Sequence, residues 1–200
     1  DRHQTTKMNN QLDIVNNANS EGETPDLLIL VDSNDQEIGF LEKTRCHEDQ
    51  GKLHRAFSIF LFNRSGEVLI QQRATSKPLW GDFWSNTCCS HPRAGESIDF
   101  AASRRIGEEL GVQSDLKFVY KFEYQARFNT QLSENELCSV YFGRFDGAPA
   151  PNPNEVQSWK WISKESLTKE LRENTDLYTP WLKLEWSTLN QDYAEQLKNI

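Results

Sequence analysis

The residues best suited to chemistry are concentrated at 84–92, Trp-Ser-Asn-Thr-Cys-Cys-Ser-His-Pro, in a chain with only four cysteines and four histidines. A thiol becomes a proton acceptor once ionised, and an imidazole is both a metal ligand and a proton carrier near neutral pH. Glu134-Asn135-Glu136 adds two carboxylates, and His47 and His54 add two more imidazoles. Together these groups suggest a site that moves protons beside a metal.

The elements that must position them are read from pattern. Residues 1–25 form a polar leader, expected to be flexible or peripheral, and folded structure is expected over 26–200. Leu27–Val31 predicts a buried strand, and Ser33-Asn34-Asp35-Gln36 turns the chain into a second strand through Gly39-Phe40-Leu41. The β-rich run Ala56–Phe62 ends at Asn63-Arg64-Ser65-Gly66 and is followed by Val68–Arg73, so 54–73 is expected to be a hairpin. Ser97 is placed to cap a helix whose apolar stripe is Ile98, Ala101, Ala102, Ile106 and Leu110, with Gly111 closing it.

Further strands are expected at 117–128, 136–145 and 156–162, with a stiff Pro-rich loop from Ala148 to Pro153. A helix capped by Ser163 and a last helix opened by Thr179-Pro180 complete the chain. Strands with helices at separated positions, and no repeat or linker, predict one mixed α/β domain.

Composition narrows the function. Two hundred residues suffice for one well-filled core, and a net charge of −8 argues against nucleic acid as a partner. A few local Arg and Lys can still hold a small anion. No apolar run approaches a membrane span, and the polar start has no apolar signal region, so a cytoplasmic protein is expected. Cys46, Cys88, Cys89 and Cys138 do not form a disulfide framework, since adjacent cysteines are poorly placed to pair, and reduced thiols are the simpler reading. Oligomeric state is left open.

The helix at 97–111 carries Arg104-Arg105-Ile106-Gly107-Glu108-Glu109-Leu110-Gly111-Val112. By charge alone this is a solvated face of i,i+4 pairs. With the strand and loop before it, the segment resembles the Nudix box, which it matches at Glu96, Arg104, Ile106, Glu108, Glu109, Gly111 and Val112. Ser90 stands where the box starts with glycine, and Arg105 where it has the glutamate after its arginine. In Nudix hydrolases that carboxylate belongs to the Mg²⁺-binding, water-activating cluster, whereas a guanidinium offers a fork for phosphate. The resemblance implies a single-domain Nudix-like α/β/α sandwich with a mixed sheet.

Leu53-His54-Arg55-Ala56-Phe57-Ser58, Gln71 to Lys77, Trp84 to Pro92 and Glu134 to Cys138 together resemble one branch of that superfamily, the type 1 isopentenyl-diphosphate Δ-isomerases. Leu79-Trp80-Gly81-Asp82 lacks the proline that this family often has there, which touches only loop shape. The resemblance implies a prenyl diphosphate substrate and a 1,3-allylic proton shift between isopentenyl and dimethylallyl diphosphate. It implies Glu136 as proton donor assisted by Tyr124, and Cys89 as the opposing base, its thiol lowered towards working pH by nearby cations.

The same resemblance implies His47, His54, His91, Glu134 and Glu136 as ligands of Zn²⁺ or Mn²⁺, with Mg²⁺ also compatible. Glu109 would hold a Mg²⁺ that bridges to the diphosphate, itself bound by Lys43, Arg73, Lys77 and Arg105. Trp181 would face the carbocation, although a core tryptophan at a helix start explains it as well. Cys88, pointing away from Cys89, and Cys138 are expected to be structural. Cys46 has no assigned role, and His3 takes no part. The alternatives are a Nudix hydrolase of a diphosphate, against which Arg105 speaks, and a non-catalytic prenyl-diphosphate-binding domain, which would need neither acid nor thiol.

Overall fold

The computed structural model describes residues 26–200, so the leader expected at 1–25 lies outside the described residues. Strands β1 (Leu27–Val31) and β2 (Glu37–Glu42) lead into a short helix α1 (Lys43–Cys46). Then come β3 (His54–Phe62), β4 (Val68–Arg73), β5 (Trp84–Ser85), β6 (Cys88–Ser90) and α2 (Ile98–Leu110). β7 (Lys117–Arg127), β8 (Ser133–Arg144) and β9 (Val156–Ile162) follow, and α3 (Lys164–Glu173), α4 (Pro180–Asp192) and α5 (Ala194–Asn199) end the chain.

β3 is the hub of a mixed sheet. It pairs in parallel with β8 along its whole length, from His54↔Glu136 to Phe62↔Arg144. A strand has two edges, and the other edge of β3 is shared by β1 at His54, β6 at Phe57–Ile59 and β4 at Phe62. Because helices cover both faces, β3 is buried at nearly every position. Phe57, Ile59 and Leu61 pack with Ala101, Ala102, Ile106 and Leu110 of α2, while Phe60 and Phe62 pack with Leu167 of α3 and Leu182 and Trp186 of α4. The period-2 alternation thus deals one strand's side chains to two helical layers, giving the α/β/α sandwich.

Local signals set the helix ends. Ser97 Oγ accepts from Phe100 N at 3.2 Å, and Gly111 ends α2 in the left-handed region at φ 64°. A Cβ at Gly111 would also meet Ala150 O at 3.1 Å. Among the described residues no helix is long and apolar enough to cross a membrane.

Four expectations change. The hairpin at 54–73 holds by a single pair, Phe62↔Val68, after which β4 turns to β9 and β5 because β6 and β1 take the rest of that β3 edge. Part of the Cys-Cys loop is strand β6, with Cys89 opposite Ser58. β8 starts at Ser133, three residues before the expected start at 136, so Glu134 and Glu136 are alternate strand residues on one face. The last helix breaks at Tyr193 into α4 and α5.

Candidate active site

His47, His54, His91 and Glu134 bring one ligand atom each to a common point, all within 4.8 Å of one another. The elements that place them are distinct: the end of α1, the first residue of β3, the exit of β6 and the start of β8. Nδ1 of His47 donates to Lys43 O at 2.6 Å and Nδ1 of His54 to Lys52 O at 2.7 Å. A carbonyl can only accept, so in the neutral rings each Nε2 turns a lone pair inward, as metal-binding imidazoles do. His54 Nε2 and Glu134 Oε2 are buried with no hydrogen-bond partner. A divalent cation would satisfy both, so the donor set fits one.

Glu136 stands at the margin of that set. Its Oε2 lies 3.3 Å from His91 Nε2 and 3.6 Å from His54 Nε2, and its Oε1 accepts from the Tyr124 hydroxyl. Burial opposes ionisation of Glu136, but the His54 and His91 imidazoles outweigh it and hold the carboxyl well below its usual range. Burial and the Glu136 charge push the Tyr124 phenol up.

Cys89 forms the opposing wall. A cavity of about 280 Å³ is lined by both Cys89 and Glu136, together with Trp181 and the four cations Lys43, Arg73, Lys77 and Arg105. At the Cys89 thiol, burial and the nearby cation act against each other. Burial pushes it up to about 12; Arg73 opposes this, and Glu109, Glu136 and Glu185 add to it. Arg73 Nη1 sits 3.8 Å from the sulfur, its Nη2 and Nε donate to Leu79 O at 2.9 Å and Trp80 O at 3.1 Å, and its guanidinium lies 5.2 Å from the Trp181 ring centroid. This expected anion binder is thus tied to the thiol and the aromatic face as well.

Trp181 is fixed as firmly. Its Nε1 donates to Ser85 Oγ at 2.9 Å and Asn86 Oδ1 at 3.2 Å, and Trp80 meets it edge to face at 5.4 Å. Trp181 is buried, as a core tryptophan at a helix start would be, and it also lines the cavity. Glu109 lies apart from the histidines: its Oε2 accepts from Cys88 Sγ at 2.7 Å and its Oε1 from Arg105 Nη2 at 3.1 Å. Cys88 faces α2, away from Cys89, and all four cysteines are free. Cys46 is buried, with its thiol donating to Leu41 O at 3.6 Å.

Sequence reasoning passed over Ser85, Asn86, Trp80, Glu155 and Glu185. The Trp84–Pro92 stretch held a signal for Ser85 and Asn86, but nothing local marks Glu155 or Glu185. In the Nudix-box helix, Arg104 Nε meets Glu96 Oε2 at 2.7 Å and its Nη1 meets Glu108 Oε2 at 3.1 Å, which joins the loop to α2.

Among known proteins, the family model described as NUDIX domain matches residues 52–182. A solved protein of Deinococcus radiodurans shares the fold with a TM-score of 0.67 at 21% identity, covering 80% of this chain and 97% of that one. A MutT protein from Methanosarcina mazei does so at 0.58 and 14%, covering 70% and 95%. Sheet, helices and site thus define a Nudix-domain protein with a thiol and a metal-ready cluster facing one cavity.

Sequence relatives sharpen this. An isopentenyl-diphosphate Delta-isomerase of Serratia proteamaculans is 47% identical over 156 residues, 78% of this chain and 87% of its own. Isopentenyl-diphosphate Delta-isomerase 1 of Photorhabdus laumondii is 41% identical over 172 residues, 85% and 98%. The chain belongs to the Nudix superfamily and, within it, to the isopentenyl-diphosphate Delta-isomerase family.

Proposed function

We propose that the protein interconverts isopentenyl diphosphate and dimethylallyl diphosphate by a 1,3-allylic proton shift. The observation that carries this is the single cavity with Cys89 and Glu136 in its lining, between an aromatic ring and four cations. Lys43, Lys77, Arg105 and Arg73 hold the diphosphate through charge-assisted hydrogen bonds and leave the hydrocarbon arm against Trp181. Tyr124 supplies a proton through Glu136 to the terminal alkene carbon, whose π electrons form the new C–H bond. The resulting tertiary cation is stabilised by the Trp181 face, by about 0.5–2 kcal/mol, in a site that excludes water. Cys89, as the thiolate, takes a proton from the carbon next to the cation, and that C–H pair becomes the new double bond. Arg73 is the charge that favours the thiolate against burial.

His47, His54, His91 and Glu134, with Glu136 beside them, are the residues to hold Zn²⁺, Mn²⁺ or Mg²⁺. Bound there, the ion supplies positive charge that makes Glu136 a stronger acid. Glu109 would be the residue to hold a Mg²⁺, which would supply positive charge to the diphosphate. A base that must remain a thiol calls for a reducing compartment, in keeping with a cytoplasmic enzyme.

The test is incubation with isopentenyl diphosphate and divalent metal in D₂O, followed by NMR of the carbon-bound protons. Dimethylallyl product carrying deuterium is expected, with Cys89→Ala and Glu136→Gln each lowering turnover by roughly 10²–10⁴-fold. Phosphate or pyrophosphate released without allylic product would overturn the reading in favour of hydrolysis.

A further inference from the structure

Glu155 has no part in the reaction above, yet it grips two of the cavity's four cations. It lies between the Pro-rich loop and β9, where Ala74 N donates to Glu155 O at 3.0 Å and Arg73 pairs with Val156. Its backbone is therefore tied to the strand end that leads into Arg73 and Lys77. Its Oε2 forms an ion pair with Lys77 Nζ, and its Oε1 lies 3.4 Å from Arg105 Nη2. Lys77 and Arg105 line the cavity, whereas Glu155 stands behind them. Burial opposes its ionisation, but Lys77, then Arg105 and Lys43, outweigh that and hold its carboxyl below the usual range.

We propose that Glu155 is a resident counter-ion of the anion site, one that competes with a diphosphate group for Lys77 and Arg105 and so sets how tightly the site holds it. The proposal rests on reading the cavity as a diphosphate site. Two physical effects follow from the placement. Half-buried cations without partners are costly, so Glu155 offsets the charge of Lys77 and Arg105 and holds them in position until an anion arrives. Once an anion enters, the fixed negative charge behind those cations cancels part of their attraction. Substrate and product carry the same diphosphate, so a weaker grip on that group favours release of either.

Glu155→Gln separates the two effects. The amide has the same shape and its one oxygen can still accept from Lys77 or Arg105, but it carries no charge. Calorimetric titration of the metal-replete protein with inorganic pyrophosphate is expected to show affinity roughly tenfold tighter for the variant than for the wild type. A residue that served only structure could not tighten binding when altered. Unchanged or weaker affinity, with the wild type binding normally, overturns the proposal and leaves the diphosphate reading standing. Absence of pyrophosphate binding in both proteins overturns the two together. A crystal structure of the wild type with pyrophosphate needs no variant. There Lys77 Nζ should contact the anion and lie beyond ion-pair distance from Glu155, and a Lys77 still paired with Glu155 overturns the proposal.

Discussion

Replacing Glu185 by glutamine is expected to stabilise the protein, and to do so more strongly as pH rises. Glu185 sits on the inner face of α4, one turn after Trp181, with no exposed surface. Its Oε2 accepts from the Cys138 thiol at 3.7 Å, and its Oε1 has no hydrogen-bond partner. Burial pushes its carboxyl up to about 8; Ser58 and Cys138 oppose the shift and the Glu136 charge adds to it.

In the unfolded chain the group returns to its ordinary value of 4.5. Between those two values the folded protein retains a proton that the unfolded chain has released. Stability therefore falls as pH rises through this window, and the loss is complete above about 8. At ~1.4 kcal/mol per pH unit the window sets an upper limit of about 5 kcal/mol. Relaxation and water entry around the ionised group reduce this to roughly 2–4 kcal/mol. Glutamine fills the same space without titrating, so the variant escapes the penalty. Urea unfolding of both proteins in the presence of a chelator, at about pH 5 and about pH 9, reads the difference directly. The two should agree within ~1 kcal/mol at the lower pH and differ by ~2–4 kcal/mol at the higher. A gap that stays constant with pH, or grows as pH falls, refutes a buried neutral acid at Glu185.

Zn²⁺ or Mn²⁺ at about a hundred times its dissociation constant should stabilise the wild type by ~2.7 kcal/mol, and His54→Ala should lose that gain in thermal melts. Equal metal shifts in the two proteins would remove the histidine cluster as the binding site. Phe60→Ala empties a fully buried position stacked on Trp186 at 6.0 Å and should cost about 3–5 kcal/mol by chemical unfolding. A loss below ~1 kcal/mol would mean the two sandwich layers do not depend on that contact. A Cβ at Gly81 would meet Thr75 O at 2.8 Å, so Gly81→Ala must displace the loop that carries Lys77. Pyrophosphate affinity should fall roughly tenfold in calorimetry, and unchanged affinity would show that this loop does not position the cations.

Much of this protein was legible in the sequence where the controlling physics is local. Ser97 and Gly111 bound α2 because a side-chain cap and a left-handed residue act within one turn of helix. The β-rich run Ala56–Phe62 was enough to place β3. The types of group in the site, and their likeness to a known family, could likewise be read from the Cys-Cys-Ser-His-Pro and Glu-Asn-Glu motifs.

Tertiary structure alone decided the rest. Nothing near His54 announces that β3 will lie parallel to β8, yet that register sets His54 opposite Glu136. Nothing near Cys89 shows that burial and Arg73 will act on its thiol in opposite directions. Nothing in the sequence singled out Glu155, just past the Pro-rich loop, or Glu185, within a helix. One lies behind two cations, and burial pushes the carboxyl of the other up. A residue's type sets what it can donate, accept or ligate. Its charge depends on desolvation and on partners brought from distant parts of the chain, and those exist only once the layers have packed.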